Sequence, residues 1–247
     1  MTLANQTALV TGAGGGIGRA AALALAEVGA RLVLMGRTPD TLERVRAELP
    51  YHSQAGIVVA CDVTDRARVT AAVAGIVAEA GGIDILVCCA GVNVPVRSLQ
   101  SIDPDDWDRV VSTNLTGAFN VIHAVLPSMR ARRNGLVVQI SSISGLRGSA
   151  VAGAAYSASK FGQAALGICV GREERGRGIR STVIFPGDVD TPFLAVRPDR
   201  PGGISVSRRE TILQPSDVAA AVRFVAELPP RVHVPEIVLK PAADDFS

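Results

Sequence analysis

The sequence predicts an α/β fold: a doubly wound, mostly parallel seven-stranded sheet with helices on both faces. Three observations point to it. Short runs rich in Val, Ile and Leu alternate with helix-length stretches along most of the 247 residues. These runs are continuously apolar rather than alternating, as expected of strands covered on both faces. A glycine-rich turn follows the first run and opens the first helical stretch, as at the start of a βαβ unit.

The elements follow in order. "TALVTGA" (7–13) reads as the first strand and "IGRAAALALAEVGA" as the helix after it. "ARLVLMGR" (30–37) is the second strand, followed by the helical "DTLERVRAEL". "GIVVACDV" (56–63) and "RARVTAAVAGIVAEAG" form the next pair. "IDILVCCAG" (83–91) is the fourth strand, and the long region from Asp105 to Arg133 is read as one helical block. "NGLVVQISS" (134–142) precedes the helical "YSASKFGQAALGICVGREER". "IRSTVIFPG" (179–187), the helical "PSDVAAAVRFVAEL" and "PEIVLKP" (235–241) complete the sheet. Six helical blocks between seven strands, joined by right-handed crossovers, describe a Rossmann-type sheet. No linker or low-complexity segment interrupts them, so residues 1–247 are expected to form a single domain. Only Asp190 to Leu213, "DTPFLAVRPDRPGGISVSRRETIL", breaks the rhythm, and long connections of this kind serve as lids or binding loops.

Composition narrows the function. Hydrophobic residues make up 48%, charged residues 19% and aromatics 4%, which suits an aliphatic globular core. A net charge of +2 offers no broad basic face for nucleic acid or anionic lipid. "MTLANQTALVTGAG" has no charged leader region, and no apolar run approaches the ~18 residues of a spanning helix. A cytoplasmic location without membrane contact is therefore expected. Cys61, Cys88, Cys89 and Cys169 lack CxxC spacing, and His52, His123 and His233 lie far apart. Reduced, mostly buried cysteines and no metal site are expected.

The turn reads "TGAGGGIG". A GxGxxG fingerprint from Gly12 would need glycine at position 17, where Ile17 stands; the spacing that fits is Gly12-x-x-x-Gly16-x-Gly18. Glycines here let the backbone leave the strand sharply and approach a pyrophosphate seated at a helix N-terminus. Further along, "AAYSASKFG" places Tyr156 and Lys160 four residues apart, on one face of a helix and among small residues. Taken alone, such a pair is a solvated phenol and a lysine with its head in water.

In combination the motifs are specific. "TGAGGGIG", "CDV", Asn114 in "STNLTGAFN", "ISS" before "YSASK", and "PGDVDTPF" occur in the order and near the spacings of the short-chain dehydrogenase/reductase family, which the chain resembles from about Thr7 to Pro241. The resemblance is to the compact single-domain branch. It implies catalytic roles for Asn114, Ser142, Tyr156 and Lys160. Tyr156 would supply or take the proton, Ser142 would polarise the substrate oxygen, Lys160 would hold the nicotinamide ribose, and Asn114 would fix a water leading from the lysine. It implies cofactor contacts at Gly12, Gly16, Ile17, Gly18, Ala90, Gly91, Pro186 and Gly187. Asp62 and Val63 would hold the adenine, and Val189 and Thr191 the carboxamide, with Tyr156 and Lys160 touching the cofactor as well. A cation about 4 Å from the phenol, at an effective dielectric of ~20, would contribute on the order of 4 kcal/mol toward lowering the tyrosine pKa.

Two positions depart from the family pattern. Cys88-Cys89 stands where relatives commonly carry two asparagines, and Ser142 precedes Tyr156 by one residue more than in many relatives, leaving Ser144 as a substitute. At the end of the second strand, where an acidic residue would repel a 2′-phosphate, Gly36 is followed by Arg37. An NADP(H)-dependent oxidoreductase acting on a small carbonyl or secondary alcohol is thus expected, with Arg37 on the 2′-phosphate. The alternatives are a 3-oxoacyl thioester reductase and a non-catalytic dinucleotide-binding sensor. The resemblance also implies a homotetramer. Asp188 and Asp190 are expected to be solvated and Trp107 to be a packing indole. Arg197, Arg200, Arg208 and Arg209, against Asp199, suggest an anionic substrate under a loop spanning about 190–213.

Overall fold

The computed structural model describes residues 2–50, 56–196 and 211–243. Seven strands form one sheet: β1 (Thr7–Thr11), β2 (Arg31–Gly36), β3 (Ile57–Ala60), β4 (Ile85–Cys88), β5 (Gly135–Ile140), β6 (Ile179–Pro186) and β7 (Glu236–Leu239). Their spatial order is β3-β2-β1-β4-β5-β6-β7, and every pairing is parallel. The helices are α1 (Gly16–Glu27), α2 (Pro39–Glu48), α3 (Arg66–Ala80), α4 (Pro104–Val111), α5 (Gly117–Arg132), α6 (Ala154–Glu173) and α7 (Pro215–Glu227).

Burial explains the apolar runs. β1, β4 and β5 are buried along their whole length, whereas the edge strands β3 and β7 are not. Side chains alternate between two cores. Val10, Val87 and Val138 point to the layer closed by Leu25 of α1, Leu42 of α2 and Val222 of α7. Leu9, Leu86 and Val137 point to the layer closed by Val73 of α3, Val125 of α5 and Val170 of α6. All seven strands expected from sequence are present, with shorter ends. β4 stops at Cys88 because the next two N–H groups, of Cys89 and Ala90, donate to Thr11 Oγ1 at 3.0 and 3.2 Å instead of to a neighbouring strand.

The region 105–133 is not one helix. α4 ends at Val111, a five-residue π turn spans Ser112–Thr116, and α5 begins at Gly117. The wider turn places Asn114 inward, fully buried. The sequence passes from β1 to β2 and β3 on one side and then crosses to β4 on the other, so a cleft opens at the carboxyl ends of β1 and β4. No helix among the described residues is long and apolar enough to cross a membrane.

Candidate functional site

The cleft at the β1/β4 switch opens into a cavity of about 1040 Å³. On one side lies the glycine turn. Gly12 has φ +66°, and a Cβ there would sit 2.9 Å from the Ala90 N atom; a Cβ on Gly18 would collide with the Gly12 carbonyl oxygen. Both positions therefore require glycine, and the turn leading into α1 lies against the β4 end at Gly12. Gly15 has open space around its missing Cβ, while a Cβ on Gly16 would meet Thr191 Cγ2 at 3.3 Å across the cleft. A glycine cradle at a helix N-terminus, facing Thr191, fits the pyrophosphate and nicotinamide end of a dinucleotide.

Of the residues singled out by sequence, Gly12, Gly16, Ile17, Gly18, Ala90 and Gly91 line the cavity from the turn and the β4 end. Ser142, Tyr156 and Lys160 line it from β5 and α6, and Pro186, Gly187, Val189 and Thr191 from the segment after β6. Arg37, Asp62 and Val63 lie outside this lining. Arg37 is exposed at the end of β2. Asp62 Oδ1 accepts from Thr64 N and Thr64 Oγ1, both at 2.9 Å, and Val63 O accepts from Asn120 Nδ2 at 2.9 Å.

Tyr156 and Lys160 share one face of α6, with Lys160 Nζ 5.7 Å from the centroid of the tyrosine ring. Burial raises the Tyr156 pKa to about 12, opposed by a hydrogen bond with Ser142 and by the Arg97 charge. The lowering expected of a cation beside the phenol is therefore not the larger effect on it. Desolvation outweighs every nearby charge. Lys160 itself is 5% exposed, and burial pushes its pKa down to about 8. Its Nζ donates to Ile140 O and to Gln163 Oε1, each at 2.8 Å. The partner of the tyrosine is Ser142 rather than Ser144, whose N–H donates to Ser142 Oγ at 3.1 Å and whose side chain is buried.

Asn114 stands behind the cavity wall. Its Oδ1 accepts from Val92 N at 2.7 Å, and its Nδ2 donates to Val92 O and Ser159 Oγ, both at 3.0 Å. Ser159 Oγ in turn donates to Tyr156 O at 2.7 Å. The π turn is thus tied to both the β4 loop and α6. A Cβ on Gly91 would lie 3.4 Å from Asn114 Oδ1 and 3.8 Å from Lys160 Nζ, so that glycine keeps the space between them clear.

Several cavity residues were not read from the sequence as functional. Asp188, expected to be solvated, is only partly exposed and faces the cavity, where its charge raises the Tyr156 pKa. Asp190 is also partly buried. Phe193 packs against Tyr156 with ring centroids 5.6 Å apart at 48°. Arg97 is 5% exposed and donates to Val94 O at 2.7 Å and Val151 O at 3.2 Å, bridging two walls of the cavity. Its position in the segment 93–98, between the fourth strand and the next helix, was the available signal. Trp107 packs with Val94, Val110 and Ala155, as expected. Cys61 and Cys88 are buried and Cys89 partly so, while Cys169 is exposed; all are free thiols. Burial raises the pKa of Cys89 to about 12 and that of Cys88 further. No cluster of metal-ligating side chains occurs among the described residues. Arg197, Asp199, Arg200, Arg208 and Arg209 fall outside the described residues.

Comparison with known proteins agrees with this geometry. The family model described as short chain dehydrogenase matches residues 6–201. Glycine betaine reductase ATRR of Emericella nidulans is 37% identical over 250 residues, covering 97% of this chain but 19% of that protein, so the chain spans about a fifth of that relative's length. Uncharacterized oxidoreductase Lmo0432 of Listeria monocytogenes is 31% identical over the full length of both chains. Among solved structures, a metagenomic short-chain oxidoreductase in complex with NADP is 30% identical, with a TM-score of 0.82 over 99% of this chain and 100% of that one. An NAD+-bound xylitol dehydrogenase is 26% identical, with a TM-score of 0.88 over 98% and 100%. With the family model matched over most of its length and a full-length relative above 30% identity, the chain belongs to the short-chain dehydrogenase family and is an oxidoreductase of that family.

Proposed function

We propose that the protein is an NADP(H)-dependent carbonyl reductase or secondary-alcohol dehydrogenase, with Tyr156 as its acid and base. The observation that carries this reading is the hydrogen bond between the Tyr156 and Ser142 side chains on the wall of a cavity whose far side is a glycine cradle. When bound, a nicotinamide dinucleotide supplies or accepts the hydride. Gly12, Gly16, Ile17 and Gly18 would hold its pyrophosphate, with Ala90, Gly91, Pro186, Gly187, Val189 and Thr191 around the nicotinamide half. Asp62 and Val63 would hold the adenine, and Arg37 the 2′-phosphate.

The chain's own residues account for the proton. In reduction Tyr156 donates its hydroxyl proton to the carbonyl oxygen, and Ser142 donates a hydrogen bond to that oxygen as its negative charge grows. In oxidation Tyr156 takes the proton from the alcohol. In the cofactor-free protein, burial holds the phenol protonated, the form that reduction uses. The charged Lys160 favours the phenolate and would itself be re-protonated through the space kept open by Gly91, where Asn114 Oδ1 has a second lone pair for a water. Phe193, Leu146 and Val151 give the substrate an apolar wall, and Arg97 and Arg147 add positive charge to it. These arginines, together with those at 197–209, support an anionic group on the substrate, a thioester carrier among the possible bearers. The assembly proposed is a homotetramer in the cytoplasm, in keeping with exposed Phe119 on α5 and Phe161 on α6.

The test is a panel of ketones, keto acids, quinones and acyl thioesters with NADPH and NADH, followed at the absorbance of the reduced cofactor. Reduction of at least one carbonyl, faster with NADPH, is expected. Tight binding of NADPH with no turnover across the panel would favour a dinucleotide sensor.

A further inference from the structure

Lys160 is one end of a buried chain of amides that neither the glycine turn nor the tyrosine requires. Its ammonium donates to Ile140 O and to Gln163 Oε1, and Gln163 Nε2 donates to Gln139 Oε1 at 3.2 Å. Gln139 of β5 and Gln163 of α6 are both fully buried. An ammonium only donates, so it dictates the polarity of the whole chain. Gln163 must turn its oxygen to Lys160, which turns its nitrogen to Gln139, which must answer with oxygen. The chain then ends on Gln139 Nε2, a buried donor without a hydrogen-bond partner among the described residues. An apolar pair at positions 139 and 163 would fill the space between helix and sheet without leaving that orphan. Lys160 also makes no ion pair among the described residues; its charge faces two neutral oxygens.

We propose that Gln163, oriented by Gln139, is a positioning residue for Lys160: its amide oxygen keeps the buried ammonium protonated and selects which of the three N–H bonds faces the cavity. The titratable groups around that ammonium are Tyr156 on the same helix and Cys88 and Cys89 at the end of β4. β5 contributes the Ile140 carbonyl and the neutral Gln139, and the π turn contributes the neutral Asn114. Arg97 and Asp188 face Tyr156 from the cavity walls. Among the described residues, Gln163 is therefore the one side chain accepting a hydrogen bond from the charged form.

The chain has two lysines, Lys160 and Lys240. Lysine-selective isotope labelling thus gives two side-chain resonances, assigned with Lys240→Arg, and the titration of Lys160 is read by NMR in the cofactor-free protein. Gln163→Met should move its midpoint down by about one pH unit, since a hydrogen bond to the charged form is lost. Gln163→Glu, which preserves shape, should move it up. Gln139→Leu should act as the Met variant does, by less. A Lys160 midpoint unmoved in folded Gln163→Met and Gln163→Glu proteins overturns the inference. The kinetic consequence rests on the carbonyl-reductase reading above: the alkaline limb of reduction should fall at lower pH in Gln163→Met. Because the titration needs no turnover, a shifted midpoint with no activity anywhere in the substrate panel would remove that reading alone.

Discussion

Burying Lys160 should leave a signature in the pH dependence of stability. Its pKa is about 8 in the fold against an ordinary 10.5. Between these values the unfolded chain binds the proton that the folded chain releases, so stability rises with pH from about 8 to about 10.5. At ~1.4 kcal/mol per pH unit, the gap amounts to about 3 kcal/mol, withheld in full below about pH 8 and recovered above about pH 10.5. For a chain of this length that is a shift of about 10 °C in Tm. Lys160→Met keeps most of the side-chain volume and removes the charge. Thermal unfolding of both proteins at several values between about pH 7 and pH 10 isolates the effect. Packing changes and the titration of every other group, the buried thiols included, largely cancel in the difference between the two proteins. The Met variant should gain on the wild type as pH falls from about 10 to about 8 and keep that gain at pH 7. Parallel stability curves across this range would refute the reasoning and return Lys160 to a solvated lysine.

Three further outcomes are expected. Tyr156→Phe should leave NADPH affinity within about threefold, measured by fluorescence titration, and cut turnover by about 10²–10⁴ because only the transferable proton is lost. Gly36→Asp should move the ratio of kcat/KM for NADPH over NADH toward NADH by at least about tenfold. The fold should tolerate it, since the new Cβ meets only the tip of Leu42, at 3.2 Å. Gly167→Ala should lower Tm by several degrees, at about 1–3 kcal/mol of overpacking, because its Cβ would stand 2.6 Å from Val183 Cγ2 and 3.1 Å from Gln139 Cγ. Turnover should fall with it, since α6 carries Tyr156 and Lys160; an unchanged Tm would show that the helix can yield.

What was legible in the sequence is what depends on local period and on turn chemistry. The apolar runs located all seven strands, and the glycine turn located the cleft, because Gly18 is demanded by the Gly12 carbonyl six residues before it, a contact local enough to show as a spacing. Tyr156 and Lys160 were readable as one helix face. The π turn was not, since one extra residue between Val111 and Gly117 leaves the apolar pattern of the flanking helices intact. Nor was the balance of forces on the tyrosine: the spacing of four residues fixes a neighbour but says nothing about burial, and here burial wins. Gln139 and Gln163 lie 24 residues apart, and nothing local marks either as facing the other. Asp188 looked like a loop carboxylate, and only the return of the chain after β6 turns it toward the cavity.

Both lysines of the chain, Lys160 and Lys240, stand on the cavity wall, while the remaining positive charge is carried by arginine. A primary amine condenses with aldehydes and ketones; a guanidinium, always protonated, does not do so readily. A protein that handles carbonyl compounds would otherwise accumulate imines over its surface at the concentrations it works on. If the proposed carbonyl substrate is right, both lysine amines sit where it would arrive, and the outer surface carries no lysine to condense with it. The same distribution makes mild reductive methylation an active-site titration: two side-chain modifications per chain at most, the one at Lys160 slowed by burial and by any dinucleotide that covers it.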